Sequence, residues 1–342
     1  MPQPTTILAD IYDMTSALPF DDFRTLLTKL PAGNAAAGER VREQFDRADK
    51  PRESLGRLEE LAVWLATWTG RPPAVSRPLV AIFAGNHGVV SQDISPRTME
   101  ATARAVELTA AGGAAINQIC LAYDIGLKVF DLALHLPTAD MSREAALDER
   151  GCAATMAFGM EAIAGTDLLT IGDLGVGNST VAAAILAALY GGPGADWVGP
   201  GSGADAAMVA RKAAVVDAAL AVHAGHLKDP FEVLRRVGGR EFAAIAGAII
   251  AARMERIPVI LDGFAATAAA SVLYAIQPGA LDHCVIAQLS PEPGHAKAVE
   301  KLGMRPLLDL GISHAEGAGG ALAAGMVKAA ALCSTGMAAA LR

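Results

Sequence analysis

Residues 168–180 read Leu-Leu-Thr-Ile-Gly-Asp-Leu-Gly-Val-Gly-Asn-Ser-Thr and run straight into an alanine-rich stretch with helical spacing. A short apolar run, spaced glycines, then amide and hydroxyl residues at a helix start spell a strand, a tight loop and a helix. Glycines let backbone N–H groups approach a ligand closely, and the N-terminus of the following helix favours an anion. This unit constrains the chain to an α/β enzyme and points to a small molecule that carries a phosphate.

The same alternation recurs along the chain. Short apolar runs at 79–84, 126–134, 168–172, 257–263, 284–290 and 307–312 are each followed by a helical segment. Strands alternating with helices predict right-handed crossovers and a parallel sheet with helices on both faces, with ligands beyond the carboxyl ends of the strands. Before the first run, residues 20–30, 35–50 and 53–69 have helical spacing, and Pro72, Pro73 and Pro78 then break the chain. The expected division is a helical part over 1–75, a large α/β catalytic domain over 76–320, and a C-terminal helix over 321–342 that packs with the N-terminal helices as a small helical domain.

Composition narrows the partners. With 52% apolar and 19% charged residues, the 342-residue chain can bury a large core. Aromatics make up only 5%, so packing relies on small side chains. A net charge of −8 argues against a nucleic-acid surface and an anionic membrane, since both need clustered Lys and Arg. Cys120, Cys152, Cys284 and Cys333 are spread out with no CxxC, which suits buried thiols in a reducing compartment. The first ten residues lack the basic stretch of a signal peptide, and no apolar stretch runs uninterrupted for a membrane span; 242–252 comes nearest. The expected location is cytoplasmic.

Several segments could carry chemistry. Gly85-Asn86-His87 follows the first run and either faces the site rim or holds a turn together. In 172–180, Gly175, Gly177, Asn178, Ser179 and Thr180 suit phosphate binding, although the pattern is neither GxGxxG nor a Walker A loop. Gly199-Pro200-Gly201-Ser202-Gly203 forms a second flexible loop ahead of Arg211-Lys212; Lys212 either reaches a phosphate or sits on a solvated helix face. Asp262 ends a strand and either binds the nucleotide or caps the next helix. Glu316 follows the last apolar run among Gly317, Gly319 and Gly320. It is either a general base or a carboxylate at a helix N-terminus. No HExxH or Cys/His cluster suggests a metal, and no GxSxG elbow suggests a serine nucleophile.

Taken in order, seven blocks resemble the nicotinate-nucleotide:dimethylbenzimidazole phosphoribosyltransferase family of cobalamin lower-ligand biosynthesis. They are Phe83-Ala84-Gly85-Asn86-His87-Gly88-Val89, Gly112-Gly113-Ala114-Ala115-Ile116-Asn117, Ile171 through Thr180, Val237-Gly238-Gly239-Arg240-Glu241, Ile260-Leu261-Asp262-Gly263-Phe264, Glu292-Pro293-Gly294-His295 and Glu316-Gly317-Ala318-Gly319. The resemblance runs from about 79 to 337.

It implies a Rossmann-like large domain with a small helical domain, a homodimer, and no metal or cofactor. The implied reaction moves the phosphoribosyl group of nicotinate mononucleotide to a benzimidazole, with 5,6-dimethylbenzimidazole as the expected acceptor. The products are α-ribazole 5′-phosphate and nicotinate, with inversion at C1′. Glu316 matches the catalytic glutamate. Asp173, Gly175, Gly177, Asn178, Ser179, Thr180, Gly201, Gly203, Lys212, Asp262 and Ser290 fall in the nucleotide and phosphate segments. Asn86, His87, Ser95, Arg104 and Ala315 border the base pocket.

The chain also departs from the family pattern. Asp173 stands where a Glu is usual, Arg104 where a Gln is usual, and His314-Ala315 where Leu-Gly is usual. These changes gather near the acceptor, so an alternative reading is a non-catalytic or altered-specificity homologue that binds a nucleotide or azole. A nicotinamide-dependent oxidoreductase ranks last, because no GxGxxG follows the first strand.

Overall fold

The structure is a computed structural model and describes residues 18–314 and 316–338. Five parallel strands, β1 (Pro78–Ala84), β2 (Gly126–Asp131), β3 (Leu168–Leu174), β4 (Val259–Leu261) and β5 (Cys284–Ile286), form one sheet in the order β2-β1-β3-β4-β5. The parallel α/β architecture expected from the alternating runs is present.

Thirteen α-helices accompany the strands among the described residues. The first five are α1 (Pro19–Thr28), α2 (Ala35–Arg47), α3 (Arg57–Thr69), α4 (Glu100–Ala110) and α5 (Ala115–Tyr123). The middle four are α6 (Glu149–Met160), α7 (Asn178–Tyr190), α8 (Ala206–His223) and α9 (Pro230–Val237). The last four are α10 (Arg240–Met254), α11 (Gly263–Ile276), α12 (Pro293–Lys301) and α13 (Ala318–Gly336).

The period-two alternation of side chains sorts β1 between two cores. Leu79, Ala81 and Phe83 join a core with α6, α7, α10 and α11, while Val80, Ile82 and Ala84 join one with α2, α3, α5 and α13. α2, α3 and α13 therefore pack together on one face of the sheet. α1 lies with the opposite core, where Phe20 stacks on Phe231 with ring centroids 5.1 Å apart.

The apolar run at 307–312 does not form a sixth strand. It contributes only an isolated parallel bridge between Gln288 and Leu308. Pro306 has no amide to donate, and Gly311 turns into the left-handed region at φ +64°, so the extended run is cut at both ends. By length and composition alone, α13 and the stretch Glu100–Tyr123 are apolar enough to cross a membrane. α13 is mostly buried on the sheet, and Glu100–Tyr123 breaks at Gly112, φ +81°.

The order places a topological switch between β1 and β3, whose connections leave in opposite directions. The loops beyond the carboxyl ends of β3, β4 and β5 open there into one cavity.

Candidate active site

The cavity has a volume of about 690 Å³. It is lined by the loop after β3, the segments after β4 and β5, the α4 region, residues 312–314 and Glu316.

At the β3 end, Gly177 takes φ +89° and serves as the N-cap of α7, a conformation that costs a glycine nothing. Gly175 lies so close to β1 that a Cβ there would sit 2.8 Å from the Gly85 carbonyl oxygen. Ser179 in the first turn of α7 accepts a 3.0 Å hydrogen bond from Lys212 Nζ. Lys212 is only 2% exposed, and its ammonium also donates to the Gly199 carbonyl at 2.7 Å. The solvated-face reading of Lys212 therefore fails. α8 turns Lys212 inward, while its neighbour Arg211 points out to the Asp93 carbonyl. Burial holds the Lys212 amine below its usual range, and Glu292 partly offsets this. Glu292 in turn accepts the Gly201 amide at 2.7 Å, so one carboxylate ties the 199–201 turn to the lysine. Backbone amides at a helix N-terminus beside a buried cation form an anion subsite.

Further in, two carboxyls are fully buried. Asp173 receives the Asn178 side-chain amide on Oδ2 and has no partner on Oδ1. Burial raises its pKa well above the ordinary carboxyl range, and the carboxylates of Glu241 and Asp262 raise it further. Burial likewise pushes Asp262 up to about 6, against the amides of Gly320 and Gly319 at the start of α13. Asp262 occupies the N-cap position of α11 but makes no capping hydrogen bond there, so its side chain is left to the cavity. Ser290 also lines the cavity. His295 Nδ1 accepts both its hydroxyl, at 2.8 Å, and its amide, at 3.1 Å. Thr267 donates its own hydroxyl to the Gly263 carbonyl, so the His295 proton facing it belongs on Nε2. His295 thus holds the Ser290 hydroxyl in place.

Glu316 lines the same cavity with its side chain only 6% exposed. It is held there by a close fit between glycines. Gly317 takes φ +83°, and a Cβ on Gly172 would lie 2.8 Å from the Gly317 nitrogen. Glu316 Oε1 lies 2.6 Å from His314 Nε2. Ser95 and Arg104 line the cavity from the α4 side.

Four expected residues are not brought to the cavity surface. Thr180 is fully buried behind the loop, because the helix turns its side chain into the α7 core. Gly203 is exposed and open, and does not line the cavity although its neighbours Ser202 and Ala204 do. Asn86 is buried and donates to the Leu134 carbonyl at 3.0 Å. His87 is fully buried and bound to Glu241 at 2.5 Å. Both therefore support the turn after β1 rather than form the base pocket. Ala315 lies outside the described residues.

Glu292, Gln288 and Arg97 line the cavity without having been singled out from the sequence. The Glu-Pro-Gly-His block held the signal for Glu292, since Pro293 starts α12 and fixes the preceding residue at its N-cap. Among the described residues, no group of three or more His, Cys, Asp or Glu side chains is placed to hold a metal ion.

A phosphoribosyltransferase family model matches residues 30–341. The chain belongs to the nicotinate-nucleotide–dimethylbenzimidazole phosphoribosyltransferase family. A relative of that name from Rhizobium johnstonii is 64% identical over 324 residues, covering 94% of this chain and 96% of the relative. Another from Rhizobium etli is 64% identical with the same coverage. The crystal structure of the enzyme of that name from Thermus thermophilus superposes with a TM-score of 0.82 at 36% identity, over 90% of this chain and 97% of that one. The matched residues include every residue that lines the cavity.

Proposed function

We propose that this chain transfers the phosphoribosyl group of nicotinate mononucleotide to a benzimidazole, with Glu316 as the general base. The phosphate takes the amides of the 175–179 loop and the Lys212 ammonium. Asp173, Asp262 and the Ser290 hydroxyl lie along the nucleotide. The acceptor enters between the α4 side, with Ser95 and Arg104, and Glu316.

The chemistry needs little else. One acceptor ring nitrogen forms a bond to C1′ as the bond from C1′ to the pyridinium nitrogen breaks. The electron pair neutralises the departing nicotinate ring, so no general acid is required. The acceptor's N–H proton passes to Glu316. Attack from the face opposite the leaving group inverts C1′.

The observation that carries this reading is the buried Glu316 carboxylate lining the same cavity as the anion subsite, in a chain of this family. The test is nicotinate release from nicotinate mononucleotide with 5,6-dimethylbenzimidazole. Glu316→Gln should lower kcat by about 10²–10⁴-fold while calorimetric donor binding stays within about twofold. Donor binding without nicotinate release from folded wild-type protein replaces the reading with a nucleotide-binding homologue.

The protein is further proposed to act in the cytoplasm and as a homodimer. Glu100–Tyr123 is apolar yet mostly exposed, with Leu108 at 51% and Leu121 at 80% exposure, and α4 also walls the cavity. A second copy covering this face would close the acceptor end. Leu121→Glu should shift the protein to monomer in sedimentation; an unchanged dimer places the interface elsewhere.

A further inference from the structure

Glu316 has one hydrogen-bonding neighbour among the described residues, and it is not a backbone group. Its Oε1 meets His314 Nε2 at 2.6 Å, and both side chains line the same cavity. Their exposures differ sharply, 6% for Glu316 and 60% for His314. The imidazole is therefore open to solvent on one side and engaged with the carboxylate on the other. A histidine that donates to one carboxylate oxygen restricts rotation of the carboxylate and leaves the second oxygen as the available acceptor.

Resting on the reading of Glu316 as base, we propose that His314 is a positioning residue for it: as an imidazolium it holds Oε1, so that Oε2 faces the acceptor's N–H. Two charged groups bear on the imidazole. Glu316 favours its protonated form, while Arg97, from the segment ahead of α4, opposes it; the first dominates and keeps His314 above its ordinary range. Arg104 lies on the same cavity wall and carries the same sign as Arg97.

The consequence is a limb in the pH dependence. When His314 loses its solvent-side proton, the hydrogen bond to Glu316 is no longer charge-assisted and its hold on the carboxylate weakens. Turnover should then fall on the alkaline side, with a midpoint set by His314. When Glu316 takes the acceptor's proton, the charge that held the His314 proton disappears. The imidazolium then releases a proton to solvent from its exposed side, the proton on Glu316 passes to the imidazole, and the carboxylate–imidazolium pair is restored with one proton released per turnover.

The test uses the full chain. His314→Gln keeps a hydrogen-bond donor but does not titrate. It should lose the alkaline limb of kcat, with KM for both substrates within about twofold. His314→Leu removes the donor and should lower kcat roughly tenfold, the loss expected for one charge-assisted hydrogen bond. A readout independent of activity is the NMR titration of His314. Its midpoint should lie above about 6.5, the ordinary histidine value, in wild type and drop in Glu316→Gln.

A wild-type pH profile in both His314 variants, or a His314 midpoint that ignores Glu316→Gln, overturns the proposal. Failure of the underlying reading looks different: Glu316→Gln then retains turnover, whatever the His314 midpoint does.

Discussion

Lys212 shows how much a single side chain decides. Its amine is desolvated and held between Ser179 and the Gly199 carbonyl, so its charge is focused on the loop rather than shared with water. Lys212→Met should raise KM for nicotinate mononucleotide about 30–100-fold, equivalent to about 2–3 kcal/mol for a buried charge-assisted contact, with a smaller change in kcat. Steady-state kinetics checks this. Because burial lowers the Lys212 pKa, the wild-type KM should also climb earlier on the alkaline side than an exposed lysine would allow. The residue types on either side of the cavity were readable from glycine spacing and carboxylate placement. The inward turn of Lys212 was not, because on α8 it sits next to Arg211, and nothing in two adjacent basic residues says which one meets the core.

At the scale of elements, glycines decide how closely helices approach. α6 and α10 cross with their backbones in contact: a Cβ on Gly247 would lie 1.9 Å from the Met156 carbonyl oxygen, and one on Gly159 equally close to that of Ala244. On a free helix surface Gly→Ala stabilises, by about 0.5–1 kcal/mol. Here the sign should reverse. Gly247→Ala should destabilise by about 3 kcal/mol through overpacking, seen as a lower denaturation midpoint with an unchanged slope. The same close approach sets Gly172 against Gly317 and so places Glu316. Periodicity revealed the strands and helices but overstated the strands near the site. The runs at 257–263 and 284–290 yield only three strand residues each, Val259–Leu261 and Cys284–Ile286. Their remainders leave the sheet to build the cavity walls at Asp262 and Ser290. Apolar composition records burial, and residues in a cavity wall are buried without being paired in a sheet.

For the molecule as a whole, burial of ionisable groups makes stability depend on pH in two opposing ways. His283 is held neutral with its pKa down to about 3, and His295 down to about 4, both by desolvation. Unfolded histidines titrate near about 6.5, so their contribution is intact above that pH. It is lost as pH falls from about 6.5 toward 4, where only the unfolded chain takes up protons. Asp262, raised to about 6, has the opposite sign. Between about 4 and 6 the folded protein keeps a proton that the unfolded chain releases, so the cost grows as pH rises and reaches about 3 kcal/mol above that window. Relative to wild type, Asp262→Asn should therefore gain a few degrees in Tm between about pH 4 and pH 7. His283→Gln should gain relative to wild type as pH falls from about 6.5 to 4. Calorimetric scans across pH check both signs. The acidic cost at Asp262 is a stability sacrificed at the cavity, where an unpaired carboxyl is free to meet a ligand.

From the chain alone, the alternation of apolar and helical segments set the parallel α/β architecture, and the ordered blocks set the family, because both are local patterns that repeat along the sequence. The tertiary structure decided which polar residues meet. It sent His87 inward to Glu241 and Thr180 into the core, turned Lys212 onto Ser179, and set His314 against Glu316. Those pairings depend on packing between segments far apart in the chain and on the rotation of each helix about its axis, which local spacing does not encode.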